Sequence, residues 1–365
     1  MSKLHYISET FENAKREQNT SILQREFVFL KLGDLQIKPP DLMVQDLIET
    51  DSLTQIFGDP GCCKSFVVID LACCIASGRD FHGHETKQGV VCYIAGEGQN
   101  GLARRFAAWG IRNDVDLKTI PLFVSTMPAA LCDEGYAKLV FNAADKIAIG
   151  YSPPQLIVID TLARNFGPGD ENSTKDMGAF IQAVDALRCI HKATILLVHH
   201  TGHANKNRAR GAMALTGALD AQYRMDKDKF GVVRFEAVKM KDAALPAPMA
   251  FKIRSVEVGI LDKDGLPVTS AILDATKYEA RTDNTSNQLG QNQTIGIRAL
   301  SDLQKDERAR LENNNQDPKT ARMSLDEWKK ECVRRGMVRK SFYSIKKSLS
   351  NRGIIVIENG FVSTR

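Results

Sequence analysis

The stretch QIFGDPGCCKSF, from Gln55 to Phe66, restricts the fold more than any other part of the chain. It reads as a short apolar strand, a turn rich in Gly and Pro, and a Lys-Ser pair opening a helix through Val67, Ile69, Leu71, Ala72 and Ile75. In that layout, backbone N–H groups point at a polyphosphate, a Lys balances its charge and a hydroxyl reaches Mg2+. Gly58, Lys64 and Ser65 fit the usual G-x-x-x-x-G-K-[ST] spacing, and Asp59, Pro60, Gly61, Cys62, Cys63 and Phe66 complete the candidate nucleotide contacts. Cys63 departs from the pattern, because the residue before the Lys lies where backbone and phosphate approach closely and a Cβ can intrude. Two other readings stay open here: a tight turn with a chance Lys-Ser, and a site that binds nucleotide but turns it over poorly.

Three further apolar strands end in residues that suit such a site. Gly89 to Ala95 runs into Gly96-Glu97-Gly98, and a carboxylate at a strand's C-terminal end is placed to polarise attacking water; the alternative is an ordinary loop Glu. Gln155 to Thr161 is continuously apolar, as in a parallel sheet, and ends at Asp160, the layout of a Walker B element that holds Mg2+ through water beside the loop Ser. Thr194 to His200 is tipped by His199 and His200, which can touch a γ-phosphate and report its loss to the next loop. A metal pair is the alternative, but neighbouring residues on a strand point to opposite faces. The following loop, Gly202 to Gly211, carries Lys206, Arg208 and Arg210 and no acid, which suits a phosphate backbone; a merely solvated loop is the other reading.

Around these lie an amphipathic helix from Asn100 to Trp109, with Leu102, Phe106 and Trp109 on one face and Arg104 and Arg105 turned away. A strand at Leu122–Val124 and helices at Tyr136–Ile149 and Ala179–Ile190 follow, the last after a polar loop from Asn165 to Gly178. Val232 to Met240 alternates as a strand that brings Lys239 and Lys241 to its end, and Met249–Val258 and Val268–Leu273 extend the sheet in antiparallel fashion. Residues 1–25 read as a helical or disordered arm, and Phe27 to Leu35 as extended chain before Pro39-Pro40.

A length of 365 residues with 43% apolar content suits two domains, one with a substantial core. The net charge of +5 is unevenly spread: residues 281–365 hold 17 Lys and Arg against 10 Asp and Glu, a net of +7. That places a nucleic-acid footprint at the C-terminal end. The eight cysteines lack ligand spacing and read as reduced core thiols. With no apolar leader and no apolar run near 18 residues, the expectation is a soluble cytoplasmic protein without membrane contact.

The joint order of GDPGCCKS (Gly58–Ser65), GVVCYIAGEG (Gly89–Gly98), LIVIDTLAR (Leu156–Arg164), LLVHHT (Leu196–Thr201), RGAMAL (Arg210–Leu215) and VKMKD (Val238–Asp242) resembles the RecA-like hexameric helicases. The particular resemblance is to the AAA_25 group of RepA-type plasmid and phage replicative helicases, over roughly residues 30–275. It implies an α/β fold, a RecA-like P-loop NTPase core at residues 26–280 with a mainly parallel twisted sheet, using ATP and Mg2+. By the same resemblance Lys64 contacts the β/γ-phosphates, Ser65 the Mg2+ and Asp160 the metal's second shell. Glu97 activates water, and His200 senses the γ-phosphate. Lys239 and Lys241 act in the neighbouring subunit's site, where Lys in the second position lacks the fork of an Arg. A homo-hexamer on single-stranded DNA follows from the resemblance.

Beyond a polar linker at 281–294, residues 295–365 read as a small winged helix-turn-helix: an apolar-periodic helix, a capping box at Ser324–Glu327, a second short helix and a hairpin turning at Asn359-Gly360. Arg339, Lys340, Lys346 and Lys347 would face duplex DNA, although winged helices also dock proteins. The leading expectation is an ATP-dependent DNA helicase or translocase of a plasmid, phage or mobile element. The alternatives are a DNA-binding ATPase that acts as a regulatory or partition-like switch, and a degenerate ATPase scaffold.

Overall fold

The computed structural model describes residues 29–96, 98–202, 209, 213–279, 290–351, 353–358 and 360–364. The arm at 1–25, Phe27, Glu97, Lys206, Arg208, Arg210, most of the linker and Asn359 therefore lie outside the described residues. The chain divides into two compact units, Met1–Glu279 and Ala280–Arg365.

In the first unit, a small hairpin of β1 (Leu42–Val44) and β2 (Ile48–Glu49) precedes a nine-stranded sheet. The sheet contains β3 (Leu53–Gly58), β4 (Val91–Ala95), β5 (Leu122–Val124), β6 (Leu156–Asp160), β7 (Thr194–His200), β8 (Ala221–Lys227), β9 (Val232–Met240), β10 (Met249–Leu261) and β11 (Pro267–Thr276). Its order is β11-β10-β9-β8-β3-β7-β6-β4-β5. Every pairing from β8 to β5 is parallel, and β9, β10 and β11 continue it antiparallel. This is a RecA-like α/β core.

The apolar runs dictate the layering. All five residues of β6 are buried, and alternate residues serve opposite faces. Leu156 and Val158, with Leu196 and Val198 of β7, pack on the side of the helices Lys64–Ser77 and Gln99–Asn113. Ile157 and Ile159, with Ile195 and Leu197, pack on the side of the helices Glu134–Gly150 and Thr174–His191. Helices thus cover both faces, as burial of both faces requires.

Several elements differ from the sequence expectation. The Thr174–His191 helix begins five residues before Ala179, because the Ser173 hydroxyl accepts from the Asp176 N–H and caps it inside the supposed loop. A short helix, Leu162–Asn165, follows directly on β6. A 3-10 turn, Leu32–Asp34, interrupts the stretch read as extended. The β1–β2 hairpin and β8 were not anticipated. In β8, Arg224, Asp226 and Lys227 break the apolar run that marked its neighbours.

The second unit holds the helices Gln291–Asn313, Leu325–Arg334 and Ser341–Asn351 and a small antiparallel sheet, β12 (Met323–Ser324), β13 (Ile355–Glu358) and β14 (Phe361–Thr364), in the order β12-β14-β13. Its core gathers on Trp328, which is fully buried, meets Phe342 edge-on at 4.9 Å between centroids and donates from Nε1 to the Gly296 carbonyl at 2.7 Å. The Ser324–Glu327 capping box opens the middle helix. This arrangement is compatible with the small C-terminal domain expected.

Candidate functional site

The C-terminal ends of β3, β6 and β7 meet at one edge of the sheet. The first helix crosses from β3 to reach β4, and β6 and β7 fill the space between, so the loops above these strands enclose a crevice of the kind in which α/β proteins bind ligands. Gly58 of β3 pairs with His200 of β7, and Asp160 of β6 pairs with Val198 of β7 and Ala95 of β4.

Gly58 is fixed by close approach. A Cβ there would lie 2.3 Å from the Met225 carbonyl oxygen and 2.6 Å from Cys62 Sγ. Pro60 and Gly61 form the exposed tip of the turn, Cys62 is buried under it, and Asp59 is half-buried. Cys63 precedes the helix with φ +71° and ψ +24°, a left-handed conformation that an L-residue adopts at a cost. Its side chain is half-buried, and burial pushes its thiol above the ordinary range, against the pull of Lys227, Arg105 and Lys64.

Lys64 is 5% exposed, and its ammonium donates to the carbonyls of Gly58 at 2.9 Å and Asp59 at 3.0 Å. Among the described residues no carboxylate pairs with it. A buried cation whose partners are all neutral favours an anion as its missing neighbour. His200 Nδ1 lies 3.4 Å from the same ammonium. His199 is fully buried on the opposite face of the strand, so the two imidazoles do not converge.

Ser65 and Asp160 line one cavity of about 180 Å3, together with Tyr93, Ala95, Gly98, Leu102 and Arg105. The hydroxyl and the carboxylate are hard oxygen donors suited to Mg2+ and its waters, so this pair fits the metal. Asp160 accepts from the buried Tyr93 hydroxyl at 2.5 Å. Burial, followed by the Asp160 carboxylate, holds the phenol protonated, well above its usual range. Gly96 and Gly98 flank Glu97 at this point; Glu97 itself lies outside the described residues.

Three contributors escaped the sequence reading. Tyr93 looked like one more apolar strand residue. Arg105 was expected to turn away from the helix's packed face; it lines the Ser65–Asp160 cavity, with its guanidinium 4.8 Å over the Phe66 ring. At 100° per residue Arg105 sits only 40° from Trp109, on the flank of the apolar stripe and not behind it. Thr201 donates its hydroxyl to the Asp59 carboxylate, and its N–H to the Gly58 carbonyl at 3.3 Å, tying the end of β7 to the loop. Thr201 also pairs with Ala209 in an isolated antiparallel bridge. The only available signal was polar chemistry at strand ends, which does not say which loops touch.

Lys239 and Lys241 lie elsewhere. Met240 pairs with Ala221 and Ala221 with Thr54, so both lysines sit at the sheet edge where β3 begins, roughly 13 Å along the strand from Gly58. Lys239 is occupied by the carbonyls of Thr216, at 2.9 Å, and Leu219, at 2.5 Å. Lys241 is exposed and 3.4 Å from Asp220. Neither reaches its own chain's phosphate loop. In the second unit, Arg339, Lys340 and Lys347 are exposed and Lys346 is half-buried.

Among the described residues no helix is long and apolar enough to cross a membrane. All eight cysteines are free thiols. No curated protein sequence matches the chain. Among solved structures, the crystal structure of the RadB recombinase is similar at TM-score 0.41 and 13% identity, over 56% of this chain and 88% of that one. The family model of AAA_25, described as an AAA domain, matches residues 19–206, just over half the chain and the part that carries Gly58 to Ser65, Asp160 and His200. The chain therefore belongs to the AAA_25 family and is a RecA-like P-loop ATPase by fold.

Proposed function

We propose that this protein is an ATP-dependent DNA helicase or translocase, of the RepA-type replicative class carried by plasmids, phages or mobile elements, and that it acts as a homo-hexameric ring on single-stranded DNA. The observation that carries the reading is the buried Lys64 ammonium, without a carboxylate partner among the described residues, where Ser65, Asp160 and His200 converge.

Bound ATP and Mg2+ would supply a phosphoryl group whose developing charge the site must share. Lys64 would hold the β/γ-phosphates, the Ser65 hydroxyl would ligate the metal, and Asp160, oriented by Tyr93, would accept from a metal-bound water. Glu97 would take the proton of the attacking water. Arg105 is a second cation in the same cavity and would contact the nucleotide beside Phe66. His200 next to Lys64, and Thr201 bonded to Asp59, would relay the state of the loop to the segment bearing Lys206, Arg208 and Arg210. The position of Lys239 and Lys241, away from their own phosphate loop, supports their use in a neighbouring subunit's site. Lys241 is the candidate for direct contact, since Lys239 holds two carbonyls.

The left-handed Cys63 favours a second reading, a slowly hydrolysing, DNA-bound switch. Steady-state ATP hydrolysis with and without single-stranded DNA, paired with strand displacement on a forked duplex, separates the two. DNA-stimulated hydrolysis abolished by Glu97→Gln, together with displacement, is the expected result. Hydrolysis without displacement would leave the switch, and no hydrolysis even in Cys63→Gly would overturn the ATPase assignment. Mixing Lys241→Ala subunits with Glu97→Gln subunits should recover turnover if the lysine acts across the interface.

A further inference from the structure

The last helix of the second unit, Ser341–Asn351, carries no acid. Phe342 and Leu349 are buried against Trp328, while Tyr343, Ser344, Lys347 and Ser350 are exposed. At 3.6 residues per turn, positions 340, 343, 344, 347 and 351 share the outward face. That face is polar along its whole length and bears only positive charge.

Tyr343 is the centre of this face. It is 60% exposed, with its ring edge-on to the buried Phe342 at 6.1 Å between centroids. The Lys329 ammonium, from the preceding helix, donates to its hydroxyl at 3.0 Å and stands 4.6 Å over its ring; Lys346 stands 5.9 Å from the same ring. The hydrogen bond from Lys329, with the charges of Lys346 and Arg339, draws the phenol below its ordinary range. None of Lys329, Arg339, Lys340, Lys346 and Lys347 meets a carboxylate among the described residues. The contrast with nearby arginines is clear. Arg310 is held by Glu307, Arg334 by Glu331, and Arg335 by Glu331 and Asp302.

We propose that Tyr343 and Lys329 form a phosphate clamp for duplex DNA: the ammonium and the phenol O–H converge on one backbone phosphate, while Lys346, Lys347, Arg339 and Lys340 contact its neighbours. The inference rests on the reading that the C-terminal unit touches nucleic acid, and adds the ligand class, the central residue and a cation, Lys329, outside the recognition helix. Duplex is favoured over single strand because the charges lie along one exposed face of a helix, whose diameter of about 10–12 Å a major groove about 12 Å wide admits. The contacts proposed are to phosphates, which fix the position and register of the helix on the duplex and carry no sequence information directly.

The test measures binding of the full-length protein to a labelled duplex of arbitrary sequence, and to a single strand of equal length, across a salt series. Lys329→Gln removes one phosphate contact, so the log–log salt slope should fall by about 0.9, and duplex affinity should fall about eight-fold at 0.1 M salt. Tyr343→Phe should lose part of the affinity and Tyr343→Ala more, while Lys305→Gln, on the exposed side of another helix, should leave the slope unchanged. Thermal denaturation confirms folding, since Tyr343 and Lys329 lie outside the core. Wild-type slope and affinity in Lys329→Gln and Tyr343→Ala, with wild type binding duplex, would overturn the clamp alone. Failure of the wild type to bind duplex would overturn the nucleic-acid reading of this unit with it, and a loss confined to single-stranded DNA would overturn the duplex assignment.

Discussion

Cys63 offers a direct test of how the phosphate loop is built. Its φ of +71° lies in the left-handed region, which costs an L-residue about 1–2 kcal/mol and glycine nothing. Glycine in turn loses more chain entropy on folding, about 0.5–1 kcal/mol. Cys63→Gly should therefore be more stable than Cys63→Ala, which loses the same thiol, by about 0.5–1 kcal/mol, or about 1–4 °C in melting temperature for a unit of this size. Cys63→Ala keeps the Cβ and the strain, and loses only the half-buried thiol, so it should fall at or slightly below the parent. Cys63→Val adds a branch at Cβ in the same conformation and should be the least stable of the series. Thermal denaturation of the three variants, followed by circular dichroism, gives the order Gly, Ala, Val. A Gly variant no more stable than Ala would refute the assignment of strain to this residue.

Three other predictions concern the same region or its support. Tyr93→Phe leaves the Asp160 carboxylate without its buried donor and should cost about 1.5–3 kcal/mol in denaturant unfolding. Much of that cost should vanish in an Asp160→Asn background, and additive costs would refute the coupling. Gly58→Ala forces a Cβ against the Met225 carbonyl and should destabilise by about 2–3 kcal/mol; a wild-type melting curve would refute the close approach. His191 ends the Thr174–His191 helix, and burial holds its imidazole below its ordinary range, only partly offset by Asp145 at 3.6 Å. The unfolded chain then binds the proton more readily, so stability from this group is complete above pH of about 6.5 and is lost as pH falls toward the folded value. His191→Gln should flatten the acid limb of the stability profile, and an unchanged limb would count against the assignment.

The sequence by itself determined the local units. A strand, a Gly-Pro turn and a Lys-Ser helix start are set by neighbouring residues, so Gly58 to Ser65 was legible, as were the continuously apolar β6 and β7 with Asp160 and His200 at their ends. Period-2 and period-3.6 burial makes such elements readable without any partner. The Ser324–Glu327 box was legible for the same reason. Tertiary structure alone decided which strand ends meet. β6 and β7 enter between β3 and β4, strands that precede both of them in the chain, because burying two faces selects the neighbours and spacing along the chain does not. That choice made Tyr93 a donor to Asp160, swung Arg105 into the Ser65 cavity, tied Thr201 to Asp59 and left Lys239 and Lys241 at the far edge of the sheet.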